Sequence, residues 1–325
     1  MNNTLKILAI LLALFSAQHS FANNIRQENW PETDFSTSSI ALDKVIYLGQ
    51  PKEYIPPVNA PSFKPVNQIH IADSEPVVTV ELNGQARAYP LRILMWHNVV
   101  NDIFEDVPLL ISYSPLSSSV NIFERKINDK ILKFSATGNL YKSNRILYDQ
   151  NTKSWWQQYT GEAIVGKLTG TKLNKIPTRV ESLRLFKERF PEGEVLVPNN
   201  KIFRAYGKNP YVGYDTGFPF LYNFPYTGKF MPMTYVVVAN NEAWPLADII
   251  WKGYAVKDNI VIKWIPGQNS TLNSSDISIG SDIGNIIVQK RQSDGSFIDI
   301  PYNVTFAFIF NAFNPDGILN WKNTK

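Results

Sequence analysis

The sequence contains no cysteine. That rules out disulfides, thiolate metal sites, covalent haem attachment and cysteine nucleophiles. At 325 residues the chain is long enough to bury a core without covalent staples. Histidine is scarce too, with His19, His70 and His97 the only three. Three-histidine and two-histidine-carboxylate centres on short motifs cannot be built from these, and no EF-hand loop is visible. We therefore assign no metal and no cofactor. Charge of one sign is also lacking: 32 Lys and Arg stand against 28 Asp and Glu, mixed along the chain, for a net +4. No basic block forms a nucleic-acid stripe, so no nucleic-acid partner is expected. Beyond the first residues there is no long apolar run, so no integral membrane segment is expected in the mature chain.

What is present begins with a leader. Lys6 and the amino terminus precede an apolar run over 7–15, within signal-core range and too short to span a bilayer. Ser20-Phe21-Ala22 fits a small-x-small cleavage site. Residues 1–22 thus read as a signal peptide cleaved near Ala22, and the protein as periplasmic or secreted. Residues 23–50 are polar and irregular, an extension rather than a packed element. Closely spaced prolines over 51–65 then suggest an extended surface segment.

From there strand signals dominate. "PVVTVELNG" alternates and ends in Asn83-Gly84, a hairpin pair. Leu91, Leu94 and Met95 recur at helical spacing after Pro90, which suggests a short helix over 91–101. "PLLISYS", "VNIFERKI", "NRILYD" and "KSWWQQY" read as further strands. Thr178 and Glu181 look like a capping box opening one longer helix near 179–190, stopped by Phe190-Pro191-Glu192-Gly193. An aromatic, glycine- and proline-rich loop over 203–230 follows, of the kind that folds onto a core or covers a ligand. "TYVVVAN", "NIVIKWI", "IIVQK" and "YNVTFAFIF" form a second set of strands. The fold class is therefore α+β, strand-rich with short helices. An internal echo adds a repeat: 77–94 resembles 235–250, each reading strand, turn, then Pro-Leu opening a helix, with two residues fewer in the second turn. Residues 51–325 read as one domain, with possible similar halves at about 51–230 and 231–325.

The stretches "NGQARAYPLRILMWHNVVND", "LLISYSPLSSSVNIFER" and "GNLYKSNRILYDQNTKSWWQQYTGEAIVGKLTGTKL", with the later "KNPYVGY" and "NNEAWPLADI", carry a resemblance. The chain resembles the bacterial and archaeal domain-of-unknown-function 3179 family from about Pro51 to its last strands. The resemblance implies no established chemistry. It does imply a departure. The family carries Tyr-Cys-Pro-Leu-Cys-Gly-Ser where this chain has Tyr113-Ser114-Pro115-Leu116-Ser117-Ser118-Ser119. A thiol pair at that spacing binds a soft metal or cycles a disulfide; hydroxyls do neither.

Two readings follow. The leading one is a non-redox binding or accessory protein of the envelope that has lost the family's thiol site, with a small molecule or an envelope protein as partner. The alternative is a hydrolase-like enzyme in which His97 activates Ser114 or Ser117 and Asp102 orients the imidazole, although no Gly-x-Ser-x-Gly elbow is present. Candidate ligand-binding residues are Trp96, Asn101, Tyr113, Tyr148, Asp149, Trp156, Gln157 and Glu162. If 91–101 is one helix, His97 and Asn101 share a face. Trp155 and Trp156, being adjacent in a strand, must point to opposite faces. Ser114 to Ser117 should form a tight turn between antiparallel strands over 108–113 and 119–125, with that turn, His97 and the 148–157 segment lining one cleft.

Overall fold

The computed structural model describes residues 28–200 and 204–321. The leader and its cleavage site lie outside the described residues, as does the start of the extension. The described part of that extension is docked. Trp30 is buried, meeting Tyr148 and Trp155 edge-on with ring centroids 4.8 and 5.3 Å away.

Strands dominate, as the β-branched alternation requires. Among the described residues they form five sheets of four or five strands and one two-stranded ribbon. The layout is repeat-like, that of a five-bladed β-propeller, and so more specific than the expected α+β layering. Two of the blades depart from a plain meander by taking in one parallel strand each. Four short helices of seven residues each join the strands among the described residues: α1 (Leu91–His97), α2 (Leu183–Arg189), α3 (Leu246–Lys252) and α4 (Ala307–Phe313). Among the described residues no helix is long and apolar enough to cross a membrane.

The internal echo extends well beyond the stretch that suggested it. In the first copy, the hairpin Pro76–Leu82/Gln85–Pro90 leads into α1 and then the strands Val99–Phe104, Val107–Ser114 and Ser119–Glu124. Strand Arg179–Ser182 returns to pair with Pro76–Leu82, and α2 leads to Glu194–Val197, which runs parallel to Gln85–Pro90. In the second, the hairpin Tyr235–Ala239/Glu242–Pro245 leads into α3 and then Tyr254–Lys257, Ile260–Ile265 and Asn285–Arg291. Strand Asn303–Phe306 returns to pair with Tyr235–Ala239, and α4 leads to Ile318–Leu319, parallel to Glu242–Pro245. The registers match. Ser182 faces Pro76 as Phe306 faces Tyr235, and Ser114 faces Ser119 as Ile265 faces Asn285. Packing is reciprocal: Arg179–Ser182 lies against Asn285–Arg291, and Asn303–Phe306 against Ser119–Glu124. The first copy alone carries an inserted sheet built on Phe134–Tyr141, Asn144–Asp149, Trp155–Gln157 and Glu162–Val165.

Several sequence expectations are corrected here. The second hairpin is shorter in its strands, not in its turn. Asn83-Gly84 and Asn240-Asn241 are both two-residue turns with positive φ throughout (52°, 76°, 46° and 63°). The helix expected over 91–101 ends at His97, because Asn98 turns left-handed (φ 57°). Asn101 then lies in a strand and shares no helical face with His97. The longer helix near 179–190 is α2 alone. Arg179–Ser182 is strand, and the cap is Ser182, whose hydroxyl accepts from Leu185 N, rather than Thr178. "AFIF" at 307–310 is helical, not strand.

Among its described residues the aromatic loop has little regular structure, a short 3₁₀ turn at Tyr214–Thr216 and a single bridge from Lys208 to Asp276. Its tyrosines Tyr206, Tyr211, Tyr214, Tyr222 and Tyr226 pack against the main core. It therefore folds onto the body of the protein, as its composition suggests.

Candidate functional site: a closed hydroxyl and amide network

The serine turn forms because Pro115 presets one backbone angle at the end of strand Val107–Ser114. Pro115–Ser117 make a single 3₁₀ turn, Ser118 N–H donates to the Pro115 carbonyl at 3.0 Å, and Ser114 faces Ser119 across the hairpin. This is the tight turn between antiparallel strands that the sequence suggests. Ser118 is left-handed (φ 47°, ψ 32°), which gives a steric reason for glycine at that place in the family pattern.

The hydroxyls are sealed in. Ser114 and Ser117 are 1% and 0% exposed. Asn144 is the hub, because the inserted sheet lays its strand Asn144–Asp149 beside the turn. Its Nδ2 donates to Ser117 Oγ (2.8 Å), Ser119 Oγ (3.0 Å) and Gln158 Oε1 (2.8 Å). Its Oδ1 accepts from Gln157 Nε2 (2.5 Å) and Tyr159 N (3.0 Å). Ser117 Oγ lies 2.8 Å from Ser119 Oγ, and Ser119 donates to Gln158 Oε1 at 2.8 Å. Gln158 Nε2 reaches Ser112 Oγ at 3.1 Å. Ser114 Oγ accepts from Arg145 N at 3.2 Å. Gln157 Oε1 is buried without a hydrogen-bond partner among the described residues, but the other groups of the cluster are paired, and buried polar groups paired in this way rigidify a core. A nucleophile would need an open approach, and this one is covered: Tyr214 in the aromatic loop donates to the Leu116 carbonyl at 2.8 Å.

His97 is engaged elsewhere. Nδ1 lies 2.8 Å from the Pro56 carbonyl and Nε2 lies 2.7 Å from the Tyr206 hydroxyl. A carbonyl accepts only, so Nδ1 carries the proton and Nε2 accepts from Tyr206. Burial lowers the His97 pKa, partly countered by the Pro56 carbonyl, which favours this neutral form. Asp102 has its own partners: Arg87 Nη1 at 3.0 Å, the Tyr89 hydroxyl at 2.7 Å and Ile103 N at 2.8 Å. The hydrogen bonds thus draw His97, Asp102 and the serines to three separate sets of residues.

The ligand-wall candidates are likewise used inside the fold. Trp96 packs on the main core. Asn101 bridges to the inserted sheet, accepting from Phe134 N at 2.9 Å and donating to its carbonyl at 2.8 Å. Tyr148 donates to Glu53 Oε1 at 2.8 Å, as do Ser135 (2.9 Å) and Gln150 (2.8 Å). Burial pushes the Glu53 carboxyl up, but these donors outweigh it and hold the group below its ordinary value. Asp149 closes its own turn, accepting from Thr152 N and from Trp156 Nε1 at 3.0 Å. Trp155 and Trp156 do point opposite ways, into separate clusters. Glu162 is partly exposed, facing Gln157 across two strands. Among the described residues no three His, Cys, Asp or Glu side chains come close enough together to hold a metal ion.

Tyr113 leads to a different feature. Its hydroxyl meets Thr271 Oγ1 at 2.9 Å, in a cavity of ≈ 40 Å³ between the two copies. Matched residues line it in pairs: Ser118 with Gly284, Val120 with Ile286, Thr178 with Tyr302, Val180 with Val304 and Pro76 with Tyr235. The cavity therefore sits where the two copies face each other. Its volume suits about three waters.

Asn144 and Arg145 were not foreseen from the sequence, and Ser119 and Gln158, visible in the serine run and the aromatic-amide patch, were not foreseen as partners of each other. The one available signal was polarity out of place: Asn144-Arg145 opens a buried strand, and Gln157-Gln158 follows two tryptophans. No curated protein and no solved structure matches the chain. Residues 52–317 match the family described as protein of unknown function (DUF3179), and the chain belongs to that family.

Proposed function

We propose that this is an exported envelope protein that works by binding, as a non-redox accessory protein, and that its serine turn is structural. The domain from residue 51 onward serves as one unit made of two similar halves. The carrying observation is the closed network: the hydroxyls at both family cysteine positions are buried, and all their neighbours are engaged. Export rests on the leader read from residues 1–22. The hydrolase alternative requires His97 beside a serine, and the bonds from His97 to Pro56 and Tyr206 favour the binding reading instead.

The test compares the mature chain with the Ser114→Cys/Ser117→Cys variant. The variant is expected to gain a disulfide rather than a metal, because cysteines at this spacing suit that bond while the buried turn has no further His, Cys, Asp or Glu ligands beside it among the described residues. The parent is expected to retain no soft metal after dialysis and to ignore thiol reductants. Ester or peptide hydrolysis by the parent that disappears in His97→Ala would overturn the reading.

A further inference from the structure

The two copies treat one matched edge strand differently. In the first, the outer edge of Val99–Phe104 is covered. Val58 N donates to the Val99 carbonyl at 2.9 Å and Asn101 N donates to the Val58 carbonyl at 2.8 Å, a parallel pairing with the proline-flanked segment around Val58. His97 holds the Pro56 carbonyl two residues upstream.

In the second copy the matched strand is Tyr254–Lys257. The match is fixed by hydrogen bonds: Tyr113 N donates to Asn98 O and Trp264 N to Gly253 O, each at 2.9 Å. Asn98 and Gly253 are both left-handed ends of their helices. Tyr254 O and Val256 N therefore point outward, as Val99 O and Asn101 N do. Among the described residues no strand or bridge pairs with this edge. The surface around it is apolar: Trp251 is 79% exposed, and Tyr254 and Val256 are 59% exposed each. Beside it runs an open groove of ≈ 710 Å³, bounded by Trp244, Ile249, Lys252, Leu319 and Trp321 among others. A bare edge with an apolar flank is a template for strand addition.

We propose that Tyr254–Lys257 is a docking edge for an extended segment of a partner protein, added in parallel register, with an apolar β-branched residue opposite the strand. The occupant is specified by the first copy, which shows what fills this edge: a proline-flanked Pro-Val segment. Lys252 occupies the place of His97, so its ammonium would hold the carbonyl two residues before the apolar side chain. Main-chain bonds to Tyr254 O and Val256 N supply affinity, and the groove reads the side chains. The inference uses neither the serine network nor the cavity, so it stands or falls separately from the reading above.

The probe is a synthetic peptide copying residues 53–61, added to the full mature chain, with amide exchange and chemical shifts as readout. Val256 N–H is expected to become protected on titration to the millimolar range. Methylating the peptide's valine nitrogen should weaken binding about tenfold, the worth of one main-chain hydrogen bond. Val256→Pro should abolish binding and leave the fold intact, because an edge position whose N–H faces solvent tolerates proline. Lys252→Ala should weaken it severalfold. No protection at several millimolar peptide would overturn the proposal. So would a Val256 N–H already protected in the free chain, which would mean that the chain fills its own edge. A chitin oligosaccharide that shifts Trp251 where the peptide does not would overturn it in favour of a sugar platform.

Discussion

Replacing Asn144 by alanine removes the hub of the serine network and nothing else of size. The cost can be worked bond by bond. Ser117 keeps its bond to the Ser114 carbonyl at 3.1 Å, and Ser119 keeps Gln158 Oε1 at 2.8 Å. Losing the Asn144 donor costs these hydroxyls about 1 kcal/mol in all. Gln157 Nε2 and Tyr159 N fare worse, because Asn144 Oδ1 is the acceptor for both. Each becomes a buried donor without a partner, at about 1–3 kcal/mol. A water entering the vacated space would pull the total toward the low end. The expected loss is about 3–5 kcal/mol. Urea unfolding followed through Trp155 and Trp156 fluorescence measures it. With a slope of about 3 kcal/mol/M for a chain of this size, the midpoint should fall by about 1–1.7 M at unchanged slope. Ser114→Ala is the control: it orphans one backbone N–H, that of Arg145, and should cost about 1 kcal/mol. A midpoint shift below about 0.3 M for Asn144→Ala would refute the view that this network is closed and structural.

The other predictions concern charge and backbone. Lys175 sits in strand Asn174–Ile176, its Nζ 3.1 Å from the Asn303 amide oxygen when that amide is turned to suit its neighbours. Burial, with nearby Lys172, lowers its pKa to about 7. The unfolded chain keeps the ordinary value of about 10.4, so between pH 7 and 9.5 it binds more protons than the folded one. Stability should rise with pH across that window, by at most ~1.4 kcal/mol per unit, and the slope should flatten in Lys175→Met; equal slopes in parent and variant would refute it. Gly284→Ala should destabilise by about 3–5 kcal/mol, because its Cβ would lie 1.8 Å from Trp264 Nε1 at φ +78°. At the matched position, Ser118→Gly should change the urea midpoint little, since relief of left-handed strain is offset by a freer unfolded chain.

Much of the strand content was legible because pattern and turn chemistry agree locally. Val77, Val78 and Val80 precede Asn83-Gly84, and the hairpin follows. The misreadings arose where two local signals competed and a distant contact decided. Thr178 with Glu181 makes a plausible capping box, but residues 179–182 are claimed by pairing with Pro76–Leu82, which leaves Ser182 to cap the helix. The aromatic run at 307–310 has strand propensity, yet it turns helical where Asn303–Phe306 stops pairing with Tyr235–Ala239. The site was legible only in part. The serine turn could be found from the resemblance, but Asn144 and Gln158 reach it across long stretches of chain, and no local pattern encodes that contact.

The exposed edge differs from its covered twin in a way that folding alone does not explain. Asn101 and Val256 occupy the same place in the two copies. Asn101 is 3% exposed and Val256 is 59% exposed. A single chain optimised for stability would do the reverse, since burying a valine is favourable and burying an asparagine costs unless every bond is made. Asn101 meets that cost with Phe134 and Asn59. Val256 gains nothing in the isolated chain. The same holds for Trp96, packed on the core, and Trp251, turned out to solvent. An apolar strand with outward N–H and C=O groups, flanked by tryptophans, is an aggregation hazard unless something covers it. The inversion therefore argues for a partner at this edge on energetic grounds, independently of the shape match to the first copy.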